Sequence, residues 1–119
     1  MAQKTAGFAS PAQGYEEEGI DLNRLLVRNP PATIFVRLDS SDMEALGLFR
    51  GTLLVVDRSK KATANTLVMI RHEGRFLCRL LTMAGGRTAF TNGAEEFYPA
   101  ADDTEIIGAV TASIHTYGK

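Results

Sequence analysis

The chemistry-bearing residues of this chain cluster unevenly. Ser40 and Ser41 form a polar knot inside "FVRLDSSDMEALGLFRGTLLVVD" (35–57), where one apolar run ends and another has yet to begin. A serine at the end of a strand can present its hydroxyl as a nucleophile if a neighbouring base takes its proton. Two kinds of base come into question. Histidine is one, but His72 and His115 are the only two, far apart in sequence at the ends of apolar runs; both are expected to be solvated surface residues. Lysine is the other, and it must be buried to lose its proton near neutral pH. Lys60 and Lys61 belong to a turn after Asp57, away from such a site. Metal ligation needs clustered His, Cys, Asp or Glu, and no such spacing occurs, so no metal is expected. "MAGGRT" (83–88) is not followed by a helix that would make it a phosphate cradle, and no cofactor is expected.

The elements that must position these residues are mostly strands. Residues 1–19 carry Gly, Ala, Ser, Pro, Gln and the acidic run Glu16–Glu18, too little to offset their ordering entropy, and are expected to form a mobile arm. The folded domain then covers 20–119. A short helix opens it, with Asp21 as N-cap and Leu22, Leu25 and Leu26 on one side, and "NPP" (29–31) stops it. Strands are expected at 32–38, 52–57, 66–72, 75–83, 87–92 and 105–117, from their aliphatic, β-branched and aromatic content. Glu73-Gly74 and Gly85-Gly86 have the length of two-residue hairpin turns. Residues 43–49 read as a helical turn. The expected class is mainly β and antiparallel, with one short helix and a loose arm.

Composition narrows the function. The chain has 119 residues, 45% of them hydrophobic and 23% charged, the usage of one globular domain. A formal net charge of −1 advertises no phosphate binding, so DNA is expected to be reached through a partner rather than by direct sequence-specific contact. Cys78 is the only cysteine, which fits a reducing cytoplasm, and no apolar run reaches the ~20 residues of a membrane span. Cytoplasmic location is the expectation.

The search for a Ser-Lys pair leads to a resemblance. "GFASPAQGYEEEGIDLNRLLVRNPPATIFVR" (7–37) followed by "GTLLVVD" (51–57) resembles the UmuD proteins, the SOS-mutagenesis branch of the LexA-like self-cleaving serine peptidases of the S24 type. The similarity runs from about Ala6 to the last strand. It implies the twisted antiparallel β fold of the LexA C-terminal domain, and an arm cut at a bond between a small residue and glycine under stimulation by the RecA–single-stranded DNA filament. It also implies a dimer that joins a UmuC-like polymerase for translesion synthesis.

The same resemblance brings the dyad into question. The family's Ser-Gly-Asp-Ser-Met falls without a gap on Asp39-Ser40-Ser41-Asp42-Met43, which puts Asp42 at the nucleophile. The pattern that carries the family's base lysine reads "GRFLCR" (74–79), which puts Arg79 at the base. An arginine stays protonated and has no lone pair for a proton. Aspartate against an amide would form an anhydride, a better leaving group than the amine. Ser41 is the fallback nucleophile, but only after a one-residue slip, which turns every side chain to the opposite face. If the fold is kept, Asp42 and Arg79 should face each other in a charge-assisted pair; the competing expectation is an Arg79 that points to solvent. Cys78, next along the strand, should lie on the other face as buried filler.

Smaller departures from the family include Asn65-Thr66, Thr52 after Gly51, and a segment "TNGAEEFYPA" (91–100) about two residues longer than its counterpart. Ala6-Gly7 stands in the register of the family's cleavage site, and a cut there would remove six residues. Either the chain needs no cut, or an active relative cuts it in trans, or the dipeptide is unused. The strand at 105–117 resembles the segment that pairs across the family's dimer. Left at a sheet edge it would invite aggregation, so dimerisation is also the physical expectation.

Three functions follow. The first is a catalytically inactive UmuD-like accessory factor that acts as a homodimer or heterodimer on a UmuC-like DNA polymerase, RecA or an active UmuD-like partner. The second is an enzyme, an S24-type peptidase that cuts Ala6-Gly7 with a displaced nucleophile, Ser41 or Ser40. The third is an antagonist that forms dead heterodimers with a host UmuD.

Overall fold

The computed structural model describes residues 19–117. Residues 1–18 of the expected arm, with the Ala6-Gly7 bond, lie outside the described residues. A helix α1 (Leu22–Leu26) leads through a 3-10 turn (Pro30–Ala32) into strand β1 (Thr33–Arg37), and a second 3-10 turn (Glu44–Leu46) precedes β2 (Leu53–Asp57). The remaining strands are β3 (Leu67–His72), β4 (Arg75–Ala84), β5 (Arg87–Thr91), β6 (Phe97–Pro99) and β7 (Glu105–Ile114). All seven form one antiparallel sheet in the order β1-β2-β7-β3-β4-β5-β6. The mainly β class of the LexA/UmuD C-terminal domain is thereby met.

Local chemistry explains most boundaries. The Asp21 carboxylate accepts from the backbone N–H groups of Asn23 and Arg24 and starts α1, as its N-cap role requires. Both two-residue hairpins form. Glu73 and Gly74 have φ of 53° and 77°, and Gly85 and Gly86 have 60° and 79°, the double positive φ of turns whose twist matches the flanking strands. Glu73 is the poorest residue for its place, because its Cβ is crowded at positive φ. Glu73→Asn is expected to raise stability by about 0.5 kcal/mol, read as a higher urea midpoint; an unchanged or lower midpoint contradicts it.

Strand β3 shows how the sheet is covered on both faces. Met69 packs with Met43, Leu54 and Cys78 in one cluster, while Val68 and Ile70 pack with Leu81 and Phe90 in another. The β1–β2 connection therefore lies over one face, and the Phe90 side of the sheet closes the other.

One expectation needs correction here. Strand β7 is not an edge: it pairs with β2 on one side and β3 on the other, with register shifts opposite Val55/Val56 and Met69/Ile70. Its apolar length is satisfied within the chain, so the aggregation argument for a dimer falls. The edges are β1 and the three-residue β6, which was not foreseen. The leucine side of α1 is largely open. Leu22 and Leu25 are exposed and no residue of the helix is buried, because α1 stands over a cleft of about 880 Å³ bounded by β7 and the β2–β3 turn.

Candidate functional site

The turn after β1 is built around Met43. Its side chain is fully buried, and its carbonyl accepts from the N–H groups of Leu46 and Leu48, while Gly47 takes a positive φ of 83° to close the turn. Before it, the Leu38 N–H donates to the Thr52 carbonyl and the Gly51 N–H to the Leu38 carbonyl, which carries the β1–β2 pairing up to the polar knot. Asp42 is thus fixed immediately before an anchored residue.

Arg79 comes from the middle of β4, opposite Val68 of β3. It points not to solvent but inward, with a relative exposure of 1%. Its Nη2 stands 3.0 Å from Asp42 Oδ2, so the expected pair forms. Cys78 lies across the strand, in the Met43 cluster, and burial pushes its thiol up to about 12. It is an unreactive filler.

A third member, Glu96, was not foreseen. Its Oε1 lies 2.7 Å from Arg79 Nη2 and accepts from Arg79 Nε at 2.9 Å, a two-pronged contact. Arg79 Nη1 donates to the carbonyl of Cys78 at 2.7 Å. Each nitrogen of the guanidinium therefore has a partner. Glu96 comes from the 91–100 segment, where the signal in the sequence was the acidic pair Glu95-Glu96.

The loop that carries Glu96 is tightly organised. The Asn92 side chain is buried, and its Oδ1 accepts from the N–H groups of Ala94 and Glu96. Thr91 Oγ1 donates to the Glu96 carbonyl and accepts from the Gly93 N–H. Gly93 has φ of 83°, and a Cβ there would stand 2.6 Å from Leu46 Cγ, so the loop rests against the turn that follows Asp42.

The electrostatics favour fixed charges. Burial of Asp42 disfavours its carboxylate, but the Ser40 hydroxyl and the Arg79 guanidinium outweigh it and hold the pKa below the usual value. Burial likewise disfavours the Arg79 cation, and Glu96 and Asp42 more than compensate. Tyr98 adds a buried hydroxyl with no hydrogen-bond partner among the described residues; burial raises its pKa while the nearby Arg79 opposes the rise. The cluster holds two carboxylates against one guanidinium.

Among the described residues, no lysine or histidine hydrogen-bonds to Ser40 or Ser41. Ser40 donates to Asp42 Oδ1, yet a carboxylate with a depressed pKa is a poor acceptor for a serine proton. Ser41 is exposed at the turn, and Lys60 and Lys61 are exposed in the β2–β3 connection. The histidines are engaged elsewhere. His72 is not a solvated surface residue: its Nδ1 lies 2.7 Å from Thr104 Oγ1 and its ring stacks on Tyr98 with centroids 4.7 Å apart. His115 is exposed as expected, within hydrogen-bonding distance of Thr52 and edge-on to Tyr117.

Comparison with known proteins agrees with this architecture. A family described as peptidase S24-like matches residues 1–111. Protein SamA of Salmonella typhimurium LT2 is 37% identical over 112 residues, which cover 92% of this chain and 79% of SamA. Protein ImpA of Escherichia coli is 37% identical over 114 residues, covering 92% of this chain and 77% of ImpA. Protein MucA of Escherichia coli is 35% identical over 114 residues, covering 92% and 78%. With a family match over nearly its whole length and relatives above a third identical, the chain belongs to the peptidase S24-like family, in its UmuD-like branch.

Proposed function

We propose that this chain is a catalytically inactive UmuD-like accessory protein of SOS-associated, error-prone translesion synthesis, which acts through protein–protein binding. The observation that carries this reading is the Asp42–Arg79 ion pair, whose members stand where the family resemblance places the nucleophile and the base. A guanidinium cannot accept a proton at any working pH, and this one is already spent on Glu96, Asp42 and the Cys78 carbonyl.

The partners are those of the family: a second UmuD-like subunit, a UmuC-like polymerase and the RecA–single-stranded DNA filament. No direct sequence-specific reading of DNA is involved. With β7 interior, support for a dimer rests on the other surfaces. The edge strand β1 has an open side, with Phe35 54% exposed, and it shares a cavity with Asn23, Arg24 and Val27 at α1. The location is cytoplasmic, where these partners act. Among the described residues no helix is long and apolar enough to cross a membrane.

Intact-mass spectrometry tests the reading. The full chain is incubated at alkaline pH, and separately with the RecA–single-stranded DNA filament, beside a cleavable relative. An unchanged mass is expected in both. A product that begins at Gly7 and forms with first-order, concentration-independent kinetics would restore the enzyme reading, with Ser41 or Ser40 as nucleophile. Capture of an active relative's subunit, with loss of that relative's activity, would favour the antagonist.

A further inference from the structure

We propose that Glu96 is the lock of the former dyad: it holds any cation at position 79 protonated and turned toward the β5–β6 loop, so the site is closed by three residues rather than two. This rests on the reading of positions 42 and 79 given above and extends it to a residue that nothing in the dyad positions themselves would single out.

The geometry carries the argument. Arg79 makes one contact to Asp42, at 3.0 Å, but two to Glu96, at 2.7 and 2.9 Å. Glu96 therefore approaches the cation more closely than Asp42 does. Its position is also built rather than incidental. Buried Asn92 receives the Glu96 N–H, Thr91 grips the Glu96 carbonyl, and Gly93 lies so close to Leu46 that any side chain there would collide. The loop thus docks on the turn that carries Asp42 and delivers a second carboxylate to the same guanidinium nitrogen, Nη2. Among the described residues, the ionisable groups that face position 79 are Asp42, Glu96 and the Tyr98 hydroxyl; Cys78 lies on the other face.

The consequence concerns reversal. A lysine base works only when burial without a counterion lowers its affinity for the proton. Restoring serine at 42 and lysine at 79 would remove Asp42 but leave Glu96 as counterion. The amine would stay charged and the serine would keep its proton. Removal of the Glu96 charge is the missing step.

Two comparisons in the full chain test this. In the first, Arg79→Lys is set against Arg79→Lys/Glu96→Gln, with Asp42 kept in both, and the introduced amine is titrated by NMR of selectively labelled lysine. Its pKa is expected to fall by about one unit or more when Glu96 is neutralised, a tenfold change in proton affinity. A change below about 0.3 unit overturns the proposal. In the second, Asp42→Ser/Arg79→Lys is compared with the same pair plus Glu96→Gln by their rate of labelling with a small fluorophosphonate. In that reaction the serine oxygen bonds to phosphorus, the P–F bond breaks, fluoride leaves and the serine proton passes to the amine. Labelling is expected to be at least about tenfold faster with Glu96→Gln, in line with the shifted amine. Equal rates, zero included, overturn the lock. If the serine variants do not fold, the titration pair decides alone. The unsubstituted chain is the control: if it is labelled at Ser40 or Ser41, the inactive reading itself fails, whereas inert wild-type chain with equal variant rates removes only the lock.

Discussion

Arg79→Ala is expected to lower stability by about 3 kcal/mol, seen as a large fall in the urea midpoint with an unchanged slope. Arg79 is 1% exposed, so removal of its side chain leaves a void in the packed interior as well as two uncompensated carboxylates. The figure sits at the low end for a broken buried pair because Asp42 and Glu96 are not themselves sealed. Their side chains are 35% and 43% exposed, so water takes over part of their solvation. Charge and packing separate in a second variant. Arg79→Ala/Asp42→Asn/Glu96→Gln keeps the void but removes the repulsion, and is expected to recover about 1 kcal/mol of the loss. A single variant that costs less than about 1 kcal/mol would mean that the cluster is a surface ion pair in energetic terms, whatever its geometry.

Gly108→Ala is the second large effect, expected to cost about 2–3 kcal/mol for one methyl group. A Cβ at Gly108 would lie 2.8 Å from the Asp57 carbonyl oxygen, 2.9 Å from Val56 Cγ1 and 3.0 Å from Arg58 Cα. Two of these three atoms are backbone, so no rotamer change relieves the contact. Gly108 sits between the two register shifts of β7, where that strand crosses closely over the end of β2. The readout is the urea midpoint together with amide exchange at the β2–β7 rungs, which should quicken more than exchange in the β3–β4 hairpin. Equal protection in both places, with stability unchanged, would show that β7 has room to move aside.

What the amino-acid pattern could and could not disclose follows from the range of the interactions. The six longer strands and both hairpins were legible because alternation and two-residue glycine turns are local matters. The Asp42–Arg79 contact was legible only through the resemblance, which assigns two distant positions to one site. Strand order was not, because the neighbours of β7 are set by packing of segments some 35 to 60 residues apart, and its apolar length looks the same at an edge or in the middle. Strand β6 was missed because Pro99 and the preceding Gly-Ala-Glu-Glu run read as loop. Glu96 eluded prediction for a related reason: its reach to Arg79 depends on Asn92 and Gly93 shaping a loop whose docking surface, Leu46, lies far away in sequence. His72 looked like a surface histidine because nothing near it in sequence foretells the Tyr98 ring beneath it.

The interior place of β7 also bears on how the chain reaches its native state. Strands β3 to β6 form a meander of neighbours and β1 pairs with β2, so each half can assemble from nearby segments. Neither half touches the other in the sheet except through β7, which is translated after both. During synthesis the two halves must therefore wait, each with an open rim, until the seventh strand emerges and zips them together across long loops. The slow step of folding should be this closure, and ribosome-bound chains that stop short of Glu105 should lack the protease resistance of the full chain.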